Sequence, residues 1–432
     1  MSHWNFDISQ YIGHVELPLV CDIVQVFQKE EIPDIHTHLS PQIESMISDN
    51  DLRDKRIAIA VGSRGINGLV DTLLCIIDIL KRQGAKPFIF PAMGSHAGAT
   101  ASGQKEYLDG LGVSENSLGV PVLSSMDTVL VDRLADGSPI YCDAAAAAAD
   151  GIVVVNKVRP HANFKGDIES GLCKMLAIGM GKREGAATLH AMGYESFPGV
   201  LASMAEVLLK KLSILFSVAI VENAYNKPMV IEAIEKTKLI SREKELLRIA
   251  KEHMPRFLTG PIDVLIVDQI GKNISGQGMD PNVTGRSGSP VQEGFDNNLV
   301  DRIVVLGLTE QTHGNFVGLG MSDISTIQVA QNLDFRTTYI NEITSRTLPP
   351  ARLPFLAGND LQAIQLACYA CSAYPGGNIG LVHIKDTNNL ERIQVSEKIL
   401  KRMNPDHYAL INDADPCFSA LKFENGRLIS AL

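Results

Sequence analysis

The sequence has little that would tie it to a polymer or a membrane. It has no positive balance: 39 Lys and Arg against 49 Asp and Glu give a formal net charge of −10. That excludes nucleic acid as the expected partner and leaves local basic clusters to small anions. It has no long apolar run: the longest, LSILFSVAIV, stops at Glu222 and is too short to span a bilayer. The opening MSHWNFDISQYIGHVELP is polar and mixed, so no secretory leader is expected. The seven cysteines are scattered and odd in number, which points to reduced thiols and a cytoplasmic home. One CxxC occurs, Cys368 to Cys371 in LACYACSAY, and with no second pair it completes no tetrahedral metal site. There is no GxGxxG in register, no Walker loop, no internal repeat and no low-complexity stretch beyond DAAAAAADG. No standard nucleotide fingerprint is therefore present.

What is there is a chain of 432 residues, 45% hydrophobic and 20% charged, long enough for two or three domains. Its first part alternates strands and helices. KRIAIAVG and KPFIFPAMG read as buried strands, with the amphipathic helix GLVDTLLCIIDILKRQG between them, ending in Gly84. ASGQKEYLDGLG is helix-like, and TVLVDRLADGSPIYC is a hairpin with Asp-Gly in its turn. GIVVVNKV and ILFSVAIVEN are further strands, and SREKELLRIAKEHM is a charged helix. PRFLTGPIDVLIVDQIG reads as a boundary into a second α/β unit with strands RIVVLGL and NIGLVHI and helices near STIQVAQNL, DLQAIQLACYACSAY and LERIQVSEKILKRM. The expected fold is two α/β domains with mainly parallel sheets, residues 1–259 and 260–432, and an active-site cleft between them.

In open parallel sheets, ligands bind at the carboxyl ends of the strands. Three strands of the first domain run into unusual loops there: GSRGING with Arg64, MGSHAGAT with His96, and KVRPHANFKG with Lys157, Arg159 and His161. Each loop has a plain reading: a tight turn, a histidine capping a helix, a histidine bonded to backbone. Two histidines and an arginine on one edge favour a pocket for an anion. Beyond the third loop, PHANFKGDIESGLCKMLAIG reads as a buried helix from about Ile168, with Ile168, Leu172, Met175 and Leu176 on one stripe. Lys174 interrupts it. That lysine either snorkels at a helix edge or presents its amine for covalent attachment or charge pairing. Downstream, Gly179, Gly181 and Gly185 surround Lys182 and Arg183, a turn suited to a phosphate, and His190 follows on a small-residue helix.

The set MGSHAGAT, PHANFKGDIESGLCK and the later LH, over about residues 56–195, resembles the nickel-dependent lactate racemase family. That family carries a nickel-pincer nucleotide (nickel pyridinium-3,5-bisthiocarboxylic acid mononucleotide). Its pattern has a lysine that bonds the cofactor and, sixteen residues later, a histidine that ligates nickel. Lys174 and His190 stand at that separation. The resemblance implies a 2-hydroxy-acid racemase or epimerase, with Lys174 as cofactor anchor and His190 as nickel ligand. His96 and His161 would be the acid/base pair, Arg64 the carboxylate clamp, and Lys182 or Arg183 a phosphate contact. It also implies proteins that make the cofactor as partners, and no nucleic acid or membrane.

This sequence departs from the pattern in several places. The aspartate and proline of the family's arginine loop are missing around Arg64. The stretch from Pro-His to the lysine is three residues longer and contains a second amine, Lys165. In the second domain GKNISGQGMDPNVTGR offers Lys272, Asp280, Asn282 and Arg286 where the family has a glutamine and a lysine, so Lys272 and Arg286 are taken as substrate-binding candidates. TEQTHGNFVGLGMSD, with His313 and Asp323, either lines the cleft or is a structured loop. Two rival readings are kept. One is a metal-dependent hydrolase built on His36 and His38 in PDIHTHLSP, and the other is a non-catalytic carboxylate-binding protein using the same cationic loops.

Overall fold

The computed structural model describes residues 7–63, 65–289, 291, 294–295, 299–411 and 415–432. The chain is an α/β protein that divides into two compact units, Lys29–Met254 and the union of Met1–Gln28 with Pro255–Leu432.

The Lys29–Met254 unit is built on a five-stranded sheet. Its spatial order is Lys86–Pro91, Arg56–Val61, Gly151–Lys157, Ile214–Glu222 and Pro228–Ile234. The first four strands are parallel and the last is antiparallel. These strands read as continuous apolar runs because both faces are covered: Ile57, Ala58, Ile59 and Ala60 are all fully buried. The Leu69–Arg82 helix covers one face with Leu73, Ile76, Ile77 and Leu80. Asp71 in its first turn and Lys81 and Arg82 in its last suit the helix dipole. Burying each such side chain is worth roughly 1.5–3 kcal/mol. The Asp-Gly hairpin is present as Thr128–Arg133 paired with Pro139–Asp143, and the alanine run forms the short helix Ala144–Ala147.

The other unit carries an eight-stranded sheet in the order Phe355–Ala357, Ile324–Thr326, Val300–Val305, Ile262–Val267, Leu381–Ile384, Arg392–Ser396, Val20–Gln25 and Tyr408–Leu410. The first five strands run parallel and the rest antiparallel. Two expectations change here. Residues 7–28 group with this unit and not with the Lys29–Met254 unit, because Val20–Gln25 pairs with Arg392–Ser396. LERIQVSEKILKRM is not one helix: Arg392–Ser396 is a strand and only Glu397–Leu400 is helical. Ile393 and Val395 are buried at a spacing of two, the period of a strand.

Candidate functional site

Register brings three strand ends together. Val61 pairs with both Pro91 and Val155, so the loops that follow open on one edge of the Lys29–Met254 sheet. They are also bonded to one another. The Ser63 hydroxyl hydrogen-bonds to Nδ1 of His96. The Gly94 N–H donates to the Gly179 carbonyl at 3.2 Å, and Asn156 Nδ2 donates to the Gly171 carbonyl at 2.8 Å. Gln104, fully buried, holds the second loop by donating to the carbonyls of Gly94 at 3.0 Å and His96 at 3.4 Å. Gly179 permits the approach: a Cβ there would stand 2.5 Å from the Ala92 oxygen.

The segment after the third strand is not the helix expected from Ile168. Residues 160–171 form a loop closed by Arg159 and Ser170, which exchange backbone hydrogen bonds at 2.9 and 3.2 Å. Its internal post is Glu169, fully buried. Its carboxylate accepts the N–H of His161 at 2.6 Å and of Gly166 at 3.2 Å, and Lys251 pairs with it at 2.6 Å. Only at Leu172 does helix begin. Leu172–Lys174 is a single turn that runs into a π-helix at Met175–Gly179, a form concentrated at functional sites. Ile168, Leu172, Met175 and Leu176 are buried as the stripe required. The turn starts over Glu243, whose carboxylate accepts the Cys173 N–H at 2.8 Å. Burial pushes this acid up to about 7, against the pull of the Cys173 and Leu172 backbone. Gly171 leaves room for it: a Cβ there would lie 2.4 Å from Glu243 Oε1.

On this turn the Lys174 amine meets the His161 ring, Nζ to Nε2, at 2.6 Å. The other ring nitrogen, Nδ1, accepts the Asn163 N–H at 3.0 Å. His161 stacks on Phe164 with centroids 4.3 Å apart, and Phe164 packs edge-on against Phe197 at 5.2 Å. Phe197 in turn lies 5.6 Å from His190 and 4.7 Å from Tyr194. Asn163 Nδ2 donates to the Tyr194 hydroxyl at 3.1 Å. One aromatic wall thus carries His161 at one end and His190 at the other. Asn163, Phe164, Glu169, Tyr194, Phe197 and Glu243 escaped the sequence reading. The one signal was Glu169, an acid inside an apolar stripe.

Other candidates have different surroundings. Lys182 is 0% exposed, 3.0 Å from Asp143 Oδ2 and 2.5 Å from the Pro91 carbonyl, so its amine is internal to the fold and does not reach a phosphate. Burial pulls its pKa down, with Asp143 opposing. Arg183 is exposed. Lys157 is ion-paired to Glu222, which also accepts the Asn67 N–H at 2.8 Å. Arg64 lies outside the described residues. In the other unit Arg286 is committed to Asp323 at 2.6 Å and to the carbonyls of Asp301 and Met321. It braces a loop rather than offering its fork to a substrate. Lys272 donates to the Gly276 carbonyl at 3.0 Å, and His313 is exposed in a left-handed turn.

The hydrolase pair does not converge. His36 and His38 lie on the Ile35–Ile47 helix. His36 faces Ser40 and, at 3.9 Å, Asp78, whereas His38 bonds to the Ile231 carbonyl at 2.9 Å. Among the described residues no group of three or more His, Cys, Asp or Glu is arranged to hold a metal. Cys368 and Cys371 are buried. Burial pushes the Cys368 thiol up to about 12 and raises Cys371, which makes both poor nucleophiles. Among the described residues no helix is long and apolar enough to cross a membrane.

No family model and no curated protein matches the sequence. Solved structures do match. The chain is structurally similar to a lactate racemase apoprotein. That protein, from Thermoanaerobacterium thermosaccharolyticum, superposes with a TM-score of 0.46 at 15% identity, over 85% of this chain and 89% of that one. A protein of Thermotoga maritima superposes with a TM-score of 0.49 at 12% identity, over 74% of this chain and 84% of that one.

Proposed function

We propose that the protein is a 2-hydroxy-acid racemase or epimerase working through a nickel-pincer nucleotide linked to Lys174. The observation that supports it most is the Lys174 amine set against the His161 imidazole, on an aromatic wall that ends in His190. The residues present fit such a group. A partly buried amine suits an acyl linkage, a ring wall suits a flat heterocycle, and an imidazole suits nickel beside soft sulfur donors. Lys182 has no part in holding it, which leaves the exposed Arg183 as the phosphate contact of the expected pair. When bound, the cofactor supplies a hydride acceptor and donor.

The chain's own residues handle the proton and the geometry. The C–H of a 2-hydroxy acid is too weakly acidic for a side chain to remove easily, so in the hydride route the base acts on the hydroxyl. Inverting the carbon requires one base for each enantiomer, and neutral imidazoles are suited to the task near neutral pH. His96 and His161 are proposed for the two roles. Ser63 on Nδ1 of His96 leaves Nε2 of that ring as the working edge, and Nε2 of His161 is the ring atom that faces Lys174. With its nitrogen taken up in the cofactor linkage, Lys174 would no longer compete for the His161 edge, which would then face the substrate hydroxyl. Arg64, in the first loop, is proposed to hold the carboxylate with a bidentate fork.

The test is interconversion. Protein made in a cofactor-producing host should racemise a 2-hydroxy acid without taking solvent deuterium into the carbon. His96→Ala and His161→Ala should each abolish turnover while the cofactor mass is retained. Deuterium at that carbon, or full activity in either variant, contradicts the reading.

A further inference from the structure

We infer that the face formed by residues 335–355 is a dimer interface, and that what covers it is the same face of a second copy of this chain, related by a two-fold axis. The inference does not depend on the racemase reading.

The helix Phe335–Ser345 is inside out. Its inward side is polar, with Thr338 and Glu342 buried. The Thr338 hydroxyl donates to the Asp334 carbonyl at 2.7 Å and accepts the Phe316 N–H at 3.1 Å. Asn341 Oδ1 accepts from Asn315 Nδ2 at 3.1 Å. Its outward side is apolar: Phe335, Tyr339, Ile340 and Ile343 are 42–68% exposed. A surface helix ordinarily turns its apolar stripe toward the core, so this stripe is built for a cover from outside. The chain that follows extends it. Leu348, Leu353 and Phe355 are 46–62% exposed, and Phe355 begins the strand Phe355–Ala357 at one edge of the eight-stranded sheet.

Three observations choose a second copy. The first is area. The seven side chains expose on the order of 100 Å² each, or about 700 Å² together, where a monomer rarely leaves more than a few hundred open. That is close to the roughly 800 Å² per partner of a stable protein interface. The second is composition. Residues 335–355 contain three arginines, no lysine, no aspartate and one glutamate, which is buried. Protein interfaces favour aromatic residues and arginine and disfavour the other charges. The third is the placement of charge. A two-fold axis through Ile340 sets the two helices antiparallel. Asp334, the N-cap, and Arg346, the C-cap, lie at equal separations from Ile340 along the chain. Each copy's Asp334 then comes to the other copy's Arg346, and each helix end meets the end of opposite dipole.

The experiment is sedimentation velocity of the purified full chain from about 0.1 to about 50 μM. Wild type should sediment as a species of twice the chain mass, dissociating on dilution. Ile340→Lys, which sets two ammonium groups together on the axis, should weaken the dimer at least about a hundredfold and leave the circular dichroism spectrum unchanged. Cys417 is exposed, so cross-linking uses a Cys417→Ser background. There Ile340→Cys should yield a disulfide-linked dimer on mild oxidation with copper phenanthroline. A wild-type monomer at every concentration overturns the inference, whether the face then proves to hold phosphatidylserine vesicles or nothing. A dimer that survives Ile340→Lys, with no cross-link through Ile340→Cys, puts the interface elsewhere and overturns it as well.

Discussion

Glu243 gives a prediction whose sign can be worked out in full. It is buried beneath the Lys174 turn, its Oε2 on the Cys173 N–H and its Oε1 without a hydrogen-bond partner among the described residues. Burial raises its pKa from 4.5 to about 7. Between those two pH values the folded protein therefore binds a proton that the unfolded chain releases, and stability falls as pH rises. The stabilisation is fully present below about 4.5 and is lost as pH passes about 7. At about 1.4 kcal/mol per pH unit the loss is on the order of 3 kcal/mol. Glu243→Gln keeps an acceptor for Cys173 and cannot ionise. Urea unfolding of apoprotein at about pH 5 and about pH 8 should show the variant equal to or slightly below wild type at the lower pH. At the higher pH it should be more stable by up to about 3 kcal/mol. Glu342, in the other unit, is raised to about 7 by the same cause. It titrates in both proteins, so the difference between them isolates Glu243. A difference that does not change with pH refutes the reasoning.

Three further outcomes follow from the same geometry. Lys182→Met should strand the buried Asp143 carboxylate and cost about 3–5 kcal/mol, read as a lowered Tm of the apoprotein; an unchanged Tm would mean that the amine is not internal. Glu169→Ala frees the His161 and Gly166 N–H groups and removes the Lys251 ion pair, so hydrogen exchange across residues 161–170 should quicken by about tenfold or more, while exchange in the Arg56–Val61 strand stays as it was. Phe197→Ala removes the ring shared by Phe164, Tyr194 and His190; it should cost about 3–5 kcal/mol and loosen the His190 ring signals in NMR.

The parts of the fold legible in the sequence are those whose cause is local. IAIAV, FIFP and IVVV are apolar throughout because both faces are covered, and runs of that kind announce themselves. The Arg392–Ser396 strand lies between Leu381–Ile384 and Val20–Gln25, the second from the opposite end of the chain, and the short alternation in RIQVS is masked in sequence by the helix-forming SEKILKRM that follows it. The site divides in the same way. That three loops share an edge follows from the order of strands and helices, and Ser63 bonded to His96 realises it. The destiny of a charge does not follow from its neighbours. Lys182 beside two glycines looks like a phosphate ligand until Asp143 is brought against it by the fold. Glu169 and Glu243 act by accepting backbone N–H groups, and no spacing rule reports that. The π-helix after Lys174 is invisible to a pattern built on a period of 3.6.

The central claim is that the Lys174 nitrogen carries the cofactor, and the intact mass of the protein tests it most directly. Wild type purified from a cofactor-producing host should carry an adduct with nickel, localised by peptide mapping to Lys174 and absent from Lys174→Ala. An unmodified wild-type mass without nickel, or an adduct that survives in Lys174→Ala, contradicts the account.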